Sequence, residues 1–256
     1  MEPKKLVEVM NILLVGATCG VSMAHVVPML RPFLKYGKTL DKGDALPTYV
    51  GVYVPKRWFL HFYQLHVALS CMNFFLVWVV GEKGWNDLHV LTLFNLLQSS
   101  RRLYECNNVS KFSAHAKMHL THYLVGLFFY SAINIYPLCW ALEGDGHRVP
   151  FTRIILASLV FAVAYNDQMM NHWLLSRQKK YFLPKERLFT VVVCPHYLDE
   201  IVIYLSFLIV RPGLAYLVVS AWVITNLSVS ANQSWMFYLK QGDIKQNHYR
   251  VIPFIY

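Results

Sequence analysis

The sequence predicts an all-α, polytopic membrane protein of seven transmembrane helices, with a luminal N-terminus and a cytosolic C-terminus. Three observations predict it. Of the 256 residues, 56% are apolar or aromatic and only 15% are charged. The apolar residues come in runs of about 20, the length a helix needs to cross a bilayer. The basic residues gather in alternate connectors, as cytosolic loops of membrane proteins do.

The runs cover roughly 6–30, 59–81, 86–105, 117–141, 151–175, 189–210 and 214–239. The first follows MEPKK but is too long for a signal peptide, so it counts as a helix. The second follows the longest polar connector, 39–56. The third, fifth and seventh carry polar residues near one end. Without a repeat or a linker, residues 1–256 read as one membrane-embedded domain. Most of the 24 Lys and Arg lie between runs one and two, three and four, and five and six, or in the tail. That bias puts the C-terminus in the cytosol and requires an odd number of spans. Because the basic residues flank spans, the net charge of +10 does not point to a nucleic acid. Cys19, Cys71, Cys106, Cys139 and Cys194 form no CxxC and no disulfide framework.

Ionisable groups inside a span are costly and usually face a cavity or a partner. On this topology they share one depth, near the cytosol. His61, Tyr63, Gln64 and His66 begin run two. Asn95, Gln98, Arg101 and Arg102 end run three, and Gln168 and His172 end run five. His196, Asp199 and Glu200 open run six, and Asn226 to Ser234 close run seven. A polar pocket open to the cytosol is therefore expected. His196 and Glu200, four residues apart, share a helix face, as do Gln168 and His172.

Two chemistries fit such a pocket. His115, His119 and His122 have a spacing that can place imidazoles on one helix face as metal ligands. Membrane di-iron enzymes need several such boxes, and here the other eight histidines are scattered, so no metal is assigned. The basic mouth, with Arg101, Arg102, Lys111, Lys179, Lys180 and Arg187, suits a polyanion, and a nucleotide cofactor fits. Neither GxGxxG nor GxxxxGK[ST] occurs, so the site is neither Rossmann nor P-loop.

The segment LLQSSRRLYECNNVSKFSAHAKMHLTHYLVGLFFY at 96–130 resembles the steroid 5α-reductase family, and within it the polyprenol reductase branch. FLKYGK at 33–38, VPKRWFLHFY at 54–63, LFTVVVCPHYLDEIVIYL at 188–205, FYLK at 237–240 and VIPFIY at 251–256 extend the resemblance over almost the whole chain. It implies a multi-pass enzyme of the endoplasmic reticulum that uses NADPH to reduce a carbon–carbon double bond conjugated to a carbonyl. For this branch the substrate is the α-isoprene unit of a long polyprenoid, and the product feeds the dolichol-phosphate pathway of protein N-glycosylation.

Carried over by position, the resemblance implies cofactor contacts from Arg101, Gln168, His172, Lys179, Tyr181, His196, Glu200 and Tyr238. Lys179, Lys180 and Arg187 are expected near the adenosine phosphate. Gln64 and Gln98 stand where steroid-type members hold the enone oxygen with a Glu and a Tyr. That departure argues against a steroid 3-ketone and makes Tyr63 the first candidate to polarise the oxygen. Asp199 is expected to face a neighbouring helix or the pocket's entrance. Trp235 replaces a usual histidine, and IKQNHY replaces a basic run in the tail. A related sterol or enoyl reductase, or a non-catalytic lipid-binding relative, remains the alternative reading.

Overall fold

The computed structural model describes residues 2–39, 51–80, 84–113, 115–178 and 182–256. Among these, seven long α-helices follow the seven apolar runs: α1 (Pro3–Val26), α2 (Phe59–Phe75), α3 (Asp87–Asn108), α4 (Leu120–Leu142), α5 (Phe151–Arg177), α6 (Pro195–Val210) and α7 (Leu214–Gln241). Among the described residues four segments are long and apolar enough to cross a membrane: Pro3–Val26, Lys56–Val79, Leu120–Leu142 and Leu214–Gln241. The architecture is thus that of an all-helical membrane protein. α3 and α5 carry clusters of polar residues, in α5 from Asn166 onward, and α6 has only 16 residues.

The boundaries depart from the runs where local chemistry intervenes. α1 stops at Val26, and a 3-10 segment from Pro28 to Leu34 follows, because Pro28 and Pro32 cannot donate to a helical ladder. α2 continues through one π-helical turn, Leu76–Val80. The fourth run begins as a strand. Lys117–His119 (β2) pairs antiparallel with Tyr53–Pro55 (β1), with Val54 opposite Met118. α4 therefore starts only at Leu120, capped by the His119 ring, which accepts from the Thr121 N–H at 3.2 Å. The sixth helix starts at Pro195, after Val192 has bridged to Tyr249 of the tail.

Helix ends are fixed by conventional means. Asn86 caps α3, its side chain accepting from Leu88 N at 3.1 Å while His89 reaches back to the Asn86 N–H. α7 ends at Gly242, whose φ of 79° permits the left-handed turn that closes the helix.

The helices pack as α1 on α7, α2 on α3 and α4, α5 on α6, and α6 on α7. Phe94, Phe161 and Phe207 knit α3, α5 and α6, with Phe94 and Phe161 stacked at 4.2 Å. Small polar groups join α2 to α4. Ser70 Oγ donates to Asn134 Oδ1 at 2.9 Å, and Asn73 Nδ2 to the Asn134 carbonyl at 2.6 Å. Ile12, Met23 and Val26 on α1, and Phe151, Leu159 and Val163 on α5, stay exposed, as lipid-facing side chains do.

The two ends of the bundle differ. At one end Arg211 ties three connections. It donates to Asp87 Oδ2 and Asp145 Oδ2, both at 2.6 Å, and lies over the Trp140 ring. That buried knot closes the bundle, and the opposite end opens into a cavity.

Candidate active site

The cavity has a volume of about 1080 Å³ and is walled by α1, α2, α4, α6 and α7, with contributions from α3, α5 and the 3-10 segments. Its apolar lining includes Ala17 and Val21 on α1, Val125 and Phe129 on α4, and Trp222 and Val223 on α7, although α7 also contributes Asn226, Ser230, Gln233 and Ser234. Tyr63, Arg102, Gln168, His172, His196 and Glu200 line it as a polar wall joined by hydrogen bonds. Polar residues from helices far apart in sequence thus meet at one depth, as expected.

Glu200 is the centre of the polar wall. Its Oε2 accepts from Gln168 Nε2 at 2.5 Å and Gln98 Nε2 at 3.2 Å. The Gln168 amide also donates to the His196 carbonyl at 2.9 Å, so α5 is pinned to the first turn of α6. Behind both glutamines lies Arg101, which donates to Gln98 Oε1 at 2.8 Å and to Gln168 Oε1. Arg101 also pairs with Glu105 Oε1 at 3.1 Å. Arg101 is buried behind the cavity wall and does not line it. From there Arg101 orients the two amides that hold Glu200, a structural arginine beside the expected cofactor region.

Its neighbour Arg102 does line the cavity. About 100° of helical rotation separates consecutive side chains, which sends one arginine behind the wall and the other through it. Arg102 donates to Tyr63 Oη at 2.6 Å and to Glu105 Oε2 at 2.5 Å. Glu105 is thus held from both sides of the RRLYE segment, at i+3 and i+4. His172 Nδ1 lies 2.8 Å from Glu105 Oε2; the tautomer that donates there leaves Nε2 as an acceptor.

Other expected residues divide. Tyr63, His196 and Tyr238 line the cavity. His196 Nδ1 is buried with no protein partner, so it has capacity for a ligand. Gln98 is buried under Glu200, outside the lining. Gln64 is exposed on another face of α2, and the structure does not bring it to the cavity. Lys179 and Tyr181, together with Lys180, lie outside the described residues. Arg187 pairs with Asp167 of α5. Asp199 points to α5, accepting from Asn171 Nδ2 at 2.7 Å, so the adjacent acids serve different neighbours.

Sequence reasoning missed Lys38 and Lys56, which line the cavity. The Lys38 ammonium lies 3.9 Å from the Tyr238 ring centroid. Burial lowers its pKa to about 8, with the nearby Lys56 charge acting in the same direction. FLKYGK carried part of the family resemblance, but nothing in its residues placed Lys38 at the cavity. Lys38, Lys56, Arg102 and the unpartnered His196 Nδ1 together fit an anionic cofactor with polar groups at both ends.

The histidine triad does not form a helical face. His119 belongs to β2 and packs against the Phe33 and Tyr53 rings, and only His122 lines the cavity. Among the described residues no group of three or more His, Cys, Asp or Glu is placed to hold an ion. Trp235 anchors the tail: its Nε1 donates to the His248 carbonyl at 2.8 Å, and Arg250 lies over its ring.

Comparison with known proteins places this geometry. Residues 115–256 match the family model described as 3-oxo-5-alpha-steroid 4-dehydrogenase. The chain is 35% identical over 241 residues to the polyprenal reductase of Saccharomyces cerevisiae, covering 88% of this chain and 87% of the relative. It is 26% identical to the polyprenal reductase of Drosophila melanogaster, covering 88% and 84%, and 26% identical to polyprenal reductase 1 of Oryza sativa subsp. indica, covering 89% and 88%. The match to that model over more than half the chain, and to the yeast protein over nearly all of it, establish that the chain belongs to the 3-oxo-5-alpha-steroid 4-dehydrogenase (steroid 5α-reductase) family.

Proposed function

We propose that this protein is an NADPH-dependent polyprenal reductase of the endoplasmic reticulum membrane, converting polyprenal to dolichal for the dolichol-phosphate pathway. The observation that carries the reading is the mixed lining of one cavity: apolar side chains suited to an isoprenoid chain share it with a polar wall built around Glu200. The curated names of its relatives supply the substrate class.

The aldehyde is the chemically sensible acceptor. An isolated allylic alcohol accepts hydride poorly. In an α,β-unsaturated aldehyde the charge that arrives at the β-carbon moves to the carbonyl oxygen. When bound, NADPH supplies that hydride, and the protein supplies orientation and electrophilic help. Glu200, Gln168, His172 and His196 are assigned to the nicotinamide and its ribose, and Lys38 and Lys56 to the phosphates, with Tyr238 beside Lys38. Lys179 and Tyr181 keep their assignment to the adenosine end. Seven spans, a luminal N-terminus and a cytosolic C-terminus complete the proposal. They open the cavity to the compartment that holds NADPH.

Lipid extracts of a deletion strain test the reading. Unsaturated polyprenoids should accumulate, and the wild-type gene should reverse this. An unchanged polyprenoid profile would sink it. The tail docked through Trp235 and Arg250 shows that those departures are compatible with an ordered fold, which weighs against a degraded relative.

A further inference from the structure

Hydride transfer pushes negative charge onto the aldehyde oxygen, and some group must receive it. The two glutamines aligned with that task are not placed for it. Gln64 is exposed away from the cavity. Gln98 is 1% exposed, with its amide committed to Glu200 and its oxygen to Arg101. Near the polar wall, the hydrogen-bond donors free of those commitments include Arg102 and the hydroxyls of Tyr63, Tyr130 and Tyr204.

The geometry points to Tyr63 and Tyr204 as the pair of donors that hold the carbonyl oxygen of the unsaturated aldehyde, with Arg102 as the positioning residue that aims the Tyr63 proton. This rests on the polyprenal reading. Arg102 Nη2 donates to Tyr63 Oη at 2.6 Å. A guanidinium has no acceptor, so that contact uses an oxygen lone pair; the Tyr130 hydroxyl also bonds to the Tyr63 oxygen, and with Tyr130 as the donor the single Tyr63 hydrogen is left for another partner. The cation beside the oxygen also polarises the O–H bond, making it a stronger donor. Arg102 is itself held by Glu105, and its guanidinium carbon lies 4.8 Å from the Tyr63 ring centroid.

Tyr204 comes from the opposite helix. It is 1% exposed, lines the cavity, and its buried hydroxyl has no partner. A buried hydroxyl is seldom left unpaired, and an oxygen of a bound ligand would complete it. The two phenols are linked by a continuous aromatic wall. Tyr63 packs on Tyr130 at 5.5 Å, Tyr130 on Phe129 at 5.2 Å, and Phe129 on Tyr204 at 5.4 Å. Tyr130 rests on the His66 ring at 4.9 Å and acts as the spacer.

The electrons balance as follows. The β-carbon accepts a hydride from the nicotinamide cofactor. The carbon–carbon π pair shifts to join the α-carbon to the carbonyl carbon, and the carbonyl π pair moves onto oxygen. Tyr63 and Tyr204 hold that enolate oxygen by hydrogen bonds. A proton from water then adds to the α-carbon, the carbonyl re-forms, and both tyrosines end as they began. Donors fixed in advance at a developing oxyanion stabilise the transition state more than the ground state.

The test uses the full chain in lipid nanodiscs and farnesal, a short unsaturated aldehyde, carrying ¹³C at the carbonyl. Without reduced cofactor, the Raman carbonyl stretch of bound farnesal should fall below its value in empty nanodiscs. Tyr63→Phe and Tyr204→Phe should each restore part of that shift, and the double variant nearly all of it. With NADPH, each single variant should lose at least tenfold in kcat with KM for farnesal changed less than threefold. Arg102→Lys should lose part of the Raman shift with both tyrosines present, which a merely structural arginine would not do. Two well-folded single variants that keep the full shift and full kcat overturn the inference while leaving the reductase reading intact. If a tyrosine variant fails to fold, the Arg102→Lys spectrum decides alone, and an unmoved carbonyl band refutes the arrangement. A wild type that neither shifts nor reduces farnesal overturns the reductase reading and this inference together.

Discussion

Replacing Glu200 with glutamine separates the cavity-facing role of this acid from its structural one. Glu200 Oε2 takes the two amide donors from Gln98 and Gln168, and the residue lines the cavity. In Glu200→Gln the new amide can turn its oxygen to the same two donors, so the helix contacts survive. Its NH₂ group must then face the cavity where a carboxylate oxygen stood. A ligand donor that met a charged acceptor now meets another donor. Hydrogen bonds to charged groups contribute about 1.5–3 kcal/mol. Each 1.4 kcal/mol is about tenfold, so the KM for NADPH should rise by about 10- to 150-fold. The control is the adjacent acid. Asp199 binds Asn171 on α5 and does not line the cavity. Asp199→Asn should therefore cost stability but leave the KM of the folded fraction within about threefold, under about 0.7 kcal/mol. The assay is NADPH-dependent reduction of polyprenal in membranes, normalised to folded protein. An inactive Asp199→Asn beside a normal Glu200→Gln would reverse the assignment of the two acids.

Three further outcomes follow from other parts of the molecule. Lys38, lowered to about 8 by burial, loses its proton as pH rises through that value. The KM for NADPH should therefore climb from pH 7 to 9.5, and Lys38→Gln should reduce the rise, with Lys56 left at the phosphates; an identical pH profile in that variant would remove Lys38 from the phosphate site. Because its folded pKa lies below the ordinary lysine value, burial penalises the charged form below about pH 8, and the penalty fades as pH rises towards the unfolded pKa. Arg211→Met strands Asp87 at the closed end of the bundle, which should cost about 3–5 kcal/mol as buried pairs do when one partner is removed. Thermal unfolding in detergent measures that loss, and an unchanged midpoint would refute the role of the knot. Asn108, in an Asn-Val-Ser sequon exposed at the end of α3, should carry no glycan, because the proposed topology puts it in the cytosol; a glycan found there by mass spectrometry would invert that topology.

Helix positions were legible in the sequence because bilayer-length apolar runs are a strong, local signal. All seven runs correspond to the long helices described. Their ends were less so, because they depend on contacts made elsewhere in the chain. Nothing in KMH announces a strand until Tyr53–Pro55 lies beside it, and the delayed start of α6 needs Tyr249. The site shows the same division. Residues repeating at four, such as Gln168 with His172 and His196 with Glu200, could be placed on common faces, and all four reach the cavity.

Direction around a helix was the weak point, since one residue of error turns a side chain by about 100°. Arg101 and Arg102 are adjacent and chemically identical, and only packing decides which one faces the cavity. Tyr63 and Gln64 pose the same problem, and there the tyrosine is buried and the glutamine exposed. The charged segment itself held a usable clue. Two consecutive arginines followed by a glutamate at i+3 and i+4 can both reach one carboxylate, and a shared carboxylate draws their two heads to the same side. From that common point one arginine extends to the amides behind Glu200 and the other to the Tyr63 hydroxyl. Glu105 thereby couples the two halves of the polar wall, the half that holds Glu200 and the half that presents the phenols.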